Sequence, residues 1–138
     1  MSGRVSASMD RDERIEAIAN CEYARSCGMR VISMDDKEVR VEMSVDDKLN
    51  GFLSGHGGAV FSIADQAFAL CCNRGEFPQV AAEASIRYLN PARGTLLAVA
   101  RTVQEDERNS TCDVKVFSGD VLIAEFVGKG HKLRSRTK

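Results

Sequence analysis

Asn50–Asn73 reads NGFLSGHGGAVFSIADQAFALCCN, and the rest of the chain is arranged around this stretch. It opens as a glycine-rich loop with one histidine, His56, and becomes an apolar run too long for an ordinary strand. From Ala59 to Cys72 the only clearly polar side chains are Ser62, Asp65 and Gln66. A helix apolar on nearly every face belongs in an interior, where a carboxylate without partners is costly. Asp65 is therefore the leading candidate for chemistry, with structural hydrogen bonding or a solvated interface position as the plain alternatives. Gly57 and Gly58 let another group approach the backbone closely, and the amides of a first helical turn have no partner within the helix.

Spacing adds a constraint. With the helix starting near Gly57, Asp65 lies roughly 12 Å along it at about 1.5 Å per residue. The Gly57 amide and the Asp65 carboxylate of one helix are too far apart to act on one small reacting centre. A second copy running antiparallel brings its Asp65 beside the first copy's Gly57, giving two composite sites per symmetric pair. If this helix carries chemistry, the site is shared between subunits.

Composition bounds the rest. The 138 residues predict a flexible tail over 1–9 and a single domain over 10–138, with 43% hydrophobic residues for its core. A net charge of -1 gives no electrostatic footprint for nucleic acid. The one basic cluster, Lys129–Lys138 with Lys132, Arg134 and Arg136 within it, reads as a solvated end able to meet phosphates of a nucleotide-bearing substrate. There is no apolar leader and no run of membrane-spanning length, so a cytoplasmic protein is expected. Cys21, Cys27, Cys71, Cys72 and Cys112 contain no CxxC pair. They read as small buried hydrophobes in a reducing compartment.

Along the chain, Asp10 with Glu13 forms a capping-box signal, and Ile15, Ile18, Ala19 and Tyr23 predict a helix that stops at Gly28. Arg30–Met34 predicts a short strand. Val39, Val41, Met43 and Val45 alternate with polar residues as in a half-buried strand. After the central helix, Val80–Leu89, Thr95–Gln104, the run around Cys112, Val114 and Val116, and Val121–Gly130 read as an antiparallel meander. In the second of these Leu97, Val99 and Val103 are expected on one face, with Arg101 as an exception. The fold class is α+β, an antiparallel sheet wrapped around one long central helix.

Several catalytic devices are excluded by spacing. Gly51 and Ser54 do not make a G-x-S-x-G elbow. Gly55, Gly57 and Gly58 fit neither a dinucleotide fingerprint nor a P-loop. Two histidines, His56 and His131, do not make a metal site, and Asp65 with Glu83 is a pair of isolated carboxylates; no metal is expected. Asp65 suits activation of water or direct attack on a carbonyl, and the Gly57 amide suits a developing oxyanion. His56 is read first as a loop-holding hydrogen-bonding residue and second as a group that polarises a substrate carbonyl. Asn50 either ties down the loop or orients a water. Ser85 is read as a strand hydroxyl, and Gln66 as a residue facing a neighbouring subunit.

Asn50-Gly51, the run His56–Ala69 with Cys72-Asn73, Ile86–Ala92 and Phe126–His131 together resemble the PaaI-type acyl-CoA thioesterases of the hotdog-fold superfamily. The resemblance covers roughly residues 40–132 and is carried above all by the helical motif. It implies hydrolysis of an acyl-CoA thioester to free acid and coenzyme A, without a cofactor, coenzyme A being part of the substrate. It implies a curved sheet around the helix, a homodimer with joined sheets and shared sites, and dimers pairing into a homotetramer. Asp65 would be general base or nucleophile. Gly57 of the partner subunit would donate its amide to the carbonyl oxygen, with Asn50 and His56 nearby.

Gly58, Gln66 and Ser85 would contact substrate. Arg93, Lys132 and Arg134 are candidate phosphate contacts from charge and location. The chain departs from some relatives in having Ala81 and Ala82 where a water-positioning serine or threonine stands, a role Ser85 is open to taking. Phenylacetyl-CoA-like substrates are favoured by family association alone. The alternatives are an acyl-thioester hydratase or dehydratase, which wants a proline-bearing loop that is absent here, and a non-catalytic acyl-CoA-binding sensor.

Overall fold

The computed structural model describes Val5 and residues 9–134, so most of the expected tail, and Arg136 and Lys138, lie outside the described residues. The elements are α1 (Arg11–Ala19), α2 (Glu22–Ser26), β1 (Arg30–Met34), β2 (Val39–Ser44), α3 (Gly57–Cys72), β3 (Gln79–Tyr88), β4 (Thr95–Glu105), β5 (Asn109–Ser118) and β6 (Val121–Lys132). The strands form an antiparallel sheet in the order β1-β2-β4-β5-β6-β3. α3 packs against every strand except β1. This is the expected α+β arrangement, a sheet around one long helix. Among the described residues no helix is long and apolar enough to cross a membrane.

The meander holds for β4, β5 and β6 but not for β3. After α3 the chain enters the far edge of the sheet, where β3 pairs with β6 (Ile86 opposite Phe126) and its other edge has no strand partner among the described residues. Most of β3 is exposed, including Val80, Glu83, Ser85 and Tyr88.

The face assignment of β4 is also corrected. Leu96, Ala98 and Ala100 are fully buried, whereas Leu97 and Val99 are half-covered and Val103 is exposed. The inward face of β4 lies under α3, and alanines there let the helix approach the sheet. Leu97 and Val99 point away, and Arg101, on their face, pairs with Glu38 at 2.7 Å. On β2 and β5 the expected alternation puts Val39, Val41, Met43, Cys112, Val114 and Val116 in the core.

Phe68 of α3 stacks against Phe126 of β6 with ring centroids 5.8 Å apart, and Phe61 meets the same ring edge-on at 5.3 Å. Gly128 makes room for this contact: a Cβ there would lie 2.7 Å from Phe68 Cδ1.

The N-terminal region forms two short helices rather than one. The capping box of Asp10 and Glu13 starts α1 as expected. The chain then breaks at Asn20, whose side chain folds back onto the Glu16 carbonyl at 3.0 Å. α1 docks on α3 through buried Arg14, which donates to Asn73 O at 3.0 and 3.2 Å and to Gly75 O at 2.6 Å.

Candidate active site

The loop before α3 is organised by Asn50. Its Oδ1 accepts from the Phe52 amide at 2.8 Å and the Ser54 amide at 3.2 Å, while its Nδ2 donates to Ser54 Oγ at 3.1 Å. These bonds tie down the loop. The tie has work to do, because Leu53 is held at φ 63, a left-handed conformation unusual for leucine. Gly55 sits where a Cβ would meet Ala92 at 2.8 Å, so the loop lies flat against the segment after β3.

His56 is the N-cap of α3, and its Nδ1 accepts from the Gly58 amide at 2.9 Å. With Nδ1 accepting, the neutral ring carries its proton on Nε2. The His56 carbonyl accepts from Ala59 and Val60 at 2.9 and 3.1 Å. Of the first-turn amides, Gly58, Ala59 and Val60 are thereby engaged, and the Gly57 N–H is left without a partner among the described residues.

Tyr88, on β3, donates its hydroxyl to the Gly57 carbonyl at 3.1 Å, and its ring packs beside Gly57. Sequence reasoning missed this residue. It lies inside the Ile86–Ala92 motif, but its contact depends on β3 returning to the edge of the sheet. Asn50, Gly57, Val60, Tyr88 and Asn90 line a groove of about 340 Å³.

Further along the helix, Gly58, Ser62, Asp65 and Ala69 fall on one line, and all four keep contact with solvent. Ser62 donates to Gly58 O at 2.7 Å and meets the Tyr23 hydroxyl at 2.7 Å. Asp65 is half-buried and has neither a hydrogen bond nor an ion pair among the described residues. Burial alone pushes its carboxyl above the usual carboxylate range. Among the described residues it holds no other group in place.

The other expected site residues are dispersed. Gln66 is covered by α1 of its own chain, and its amide donates to Ile18 O at 2.8 Å, in place of the expected subunit-facing position. Ser85 is exposed on β3, opposite Val127 of β6. Arg93 lies beyond the Tyr88 end of β3 and donates to Leu53 O at 3.3 Å. Lys132 pairs with Gln79 at the other end of that strand and bridges to Glu105 at 2.8 Å. Arg134 stacks over the Phe77 ring at 4.4 Å. The three cations therefore sit at two ends of a strand whose length is roughly 30 Å, with only Arg93 near Gly57.

A sequence model described as "Thioesterase superfamily" matches residues 54–124, more than half of the chain. The chain belongs to the thioesterase superfamily. As a member of that superfamily it is a thioester hydrolase. It is 36% identical over 114 residues to "Acyl-coenzyme A thioesterase PaaI" of Escherichia coli K12, covering 80% of this chain and 81% of that one. The solved structure of the E. coli PaaI protein superposes with a TM-score of 0.78 at 34% identity, covering 83% and 86% of the two chains. A Streptococcus mutans UA159 protein, smu.793, solved bound to acetyl CoA, has a TM-score of 0.70 at 28% identity, covering 79% and 91%. The superfamily's hotdog fold is the one described above, with the long helix enclosed by the antiparallel sheet.

Proposed function

We propose that this thioester hydrolase acts on acyl-CoA, with phenylacetyl-CoA-like aryl acyl groups favoured, releasing the free acid and coenzyme A. The observation that carries the reading is a pair of groups on α3 that have no partner among the described residues, the Gly57 N–H and the Asp65 carboxylate. Their separation of roughly 12 Å along one helix makes each half of a site, completed when a second copy runs antiparallel. Asp65 activates water or attacks the thioester carbonyl, and Gly57 of the partner subunit donates to the oxygen that gains charge. His56 fixes the helix start and directs its Nε2 proton outward, and Asn50 holds the loop.

The exposed, strand-unpaired edge of β3 is the natural place for two sheets to join, because an open edge offers unpaired backbone groups. Pairing of such dimers into a tetramer belongs to the same reading. Coenzyme A enters as substrate, and the chemistry asks for no metal or further cofactor. Arg93 is the phosphate contact nearest Gly57. Lys132 and Arg134, with Arg108 and His131, line a separate cavity of about 480 Å³. A cytoplasmic setting fits five cysteines that are all free thiols.

The test is thiol release from a panel of acyl-CoAs, short aliphatic to long-chain and aryl. Release that depends on Asp65 and is fastest for aryl acyl groups is the expected result. Binding of acyl-CoA without release from any member would replace hydrolysis by a sensing role. Gly57→Ala separates chemistry from folding. A methyl there would lie 3.5 Å from the Tyr88 ring, an ordinary contact, so the fold accepts it. Turnover is expected to fall by about tenfold or more as the methyl blocks approach to the backbone donor, with the melting temperature unchanged. Wild-type turnover would remove Gly57 from the site.

A further inference from the structure

At the end of α3 remote from Gly57, a cavity of about 600 Å³ holds chemistry that thioester hydrolysis leaves unused. Cys71, Arg74 and Thr102 line it, as do Arg11 and the carboxylates Asp12, Asp35, Asp36 and Glu105. Arg74 Nη2 donates to Cys71 Sγ at 3.3 Å and to Thr102 Oγ1 at 3.4 Å. The Thr102 hydroxyl is 3.5 Å from Cys71 Sγ and 3.8 Å from Cys112 Sγ. The guanidinium is itself fixed, its Nε donating to Cys71 O at 3.1 Å and its Nη1 to Asp35 O. Cys71 Sγ thus has a fixed cation and a hydroxyl against it, and the same hydroxyl meets a second thiol, Cys112.

These surroundings favour the thiolate. The nearby Cys112 thiol chiefly, then Thr102 and the charge of Arg74, outweigh burial and lower the Cys71 thiol to about 6. Cys72, the next residue on the helix, lacks these partners, and burial pushes it up to about 12. Both cysteines line the cavity, but only Cys71 is bonded by Arg74 and Thr102.

We propose that Cys71 is a site of oxidative modification, a buried thiolate that takes an oxygen atom from a small hydroperoxide entering the cavity. The Cys71 sulfur attacks the terminal peroxide oxygen, an S–O bond forms and the O–O bond breaks. The departing hydroxide or alkoxide takes a proton from solvent. Sulfur is oxidised by two electrons to the sulfenic acid, and the peroxide is reduced to water or an alcohol. Arg74 holds the thiolate and stabilises the departing oxyanion, and Thr102 donates to the peroxide. The site lies six residues beyond Asp65 on the same helix, so the modification is borne by the element that carries the carboxylate.

The full chain is exposed briefly to hydrogen peroxide, quenched with catalase and denatured in a sulfenic-acid trap such as dimedone, and each cysteine is read by fragment-ion mass spectrometry. Cys71 is expected to carry the adduct ahead of the more accessible Cys21 and Cys27, with its rate flat above about pH 7 as befits a low-pKa thiol. Arg74→Met should slow oxidation of Cys71 roughly tenfold and leave Cys21 and Cys27 unchanged, while Arg74→Lys restores part of the rate. First labelling at Cys21 or Cys27, or an Arg74→Met rate at Cys71 equal to wild type, would overturn the assignment. Thiol release from acyl-CoA, measured on the same samples before oxidation, reports separately on hydrolysis.

Discussion

Asp65→Asn is expected to lower kcat for thioester hydrolysis by about 10²–10⁴-fold, the usual contribution of a positioned general base, with KM little changed and the chain folded. The same substitution should stabilise the protein at neutral pH. Burial without a partner raises the Asp65 carboxyl above its ordinary value in the folded chain, so the folded state holds this proton more tightly than the unfolded one. Stability is therefore lost as pH rises from the ordinary carboxylate value, about 3.9, through the raised one. Asparagine removes that slope, and the two proteins converge at lower pH.

In the wild type, kcat/KM should fall as pH drops through the raised value, because the protonated carboxyl cannot serve as base. Steady-state rates and urea unfolding across pH 3–8 read both effects. An unchanged rate, or a variant less stable than wild type at neutral pH, would show that Asp65 has a structural partner and is not the reacting carboxylate.

Phe68→Ala is expected to cost about 3–5 kcal/mol, the range for a fully buried phenylalanine and a large share of a stability of about 5–15 kcal/mol. Phe68 is 1% exposed and occupies the space between α3 and β6, against Phe126 and over Gly128. Neither side can close the gap, since the Phe126 ring is held by Phe61 as well and Gly128 has no side chain to move inward. Urea unfolding at fixed protein concentration should give a lower midpoint with an unchanged slope. A loss below 1 kcal/mol would mean that the helix settles onto the sheet, and thiol release would then be disturbed instead of stability.

What was legible in the sequence follows from how local each signal is. α3 could be placed from its length and uniform apolarity, and its one acid and its starting glycine stood out against that background. β2 and β5 were readable because alternation survives in the sequence when only one face is buried. On β4 side-chain size misled: Ala98 and Ala100 face inward beside Leu96 because a helix lies on them, and nothing within the strand announces the helix. The place of β3 beside β6, and with it the contact of Tyr88 with Gly57, is a property of chain return and leaves no local trace. Nothing in the sequence marks Arg14 as buried, and only the docking of α1 against Asn73 reveals it. Gln66 was misread for the same reason, its cover being another part of the same chain.

The two poles of α3 are treated differently, and this has an electrical consequence. At its C-terminal pole, Arg14 sits on the carbonyl of the cap residue Asn73 and Arg74 on that of Cys71, so the negative end is neutralised by fixed cations. The first turn at the other pole contains no acidic residue, and its N–H at Gly57 is unengaged among the described residues. The aligned peptide dipoles of a helix amount to roughly half an elementary charge at each end; here only the positive half is left uncancelled. That uncancelled half faces the groove lined by Asn50 and Tyr88, so this end of the helix favours negative charge there, an attraction that added salt weakens.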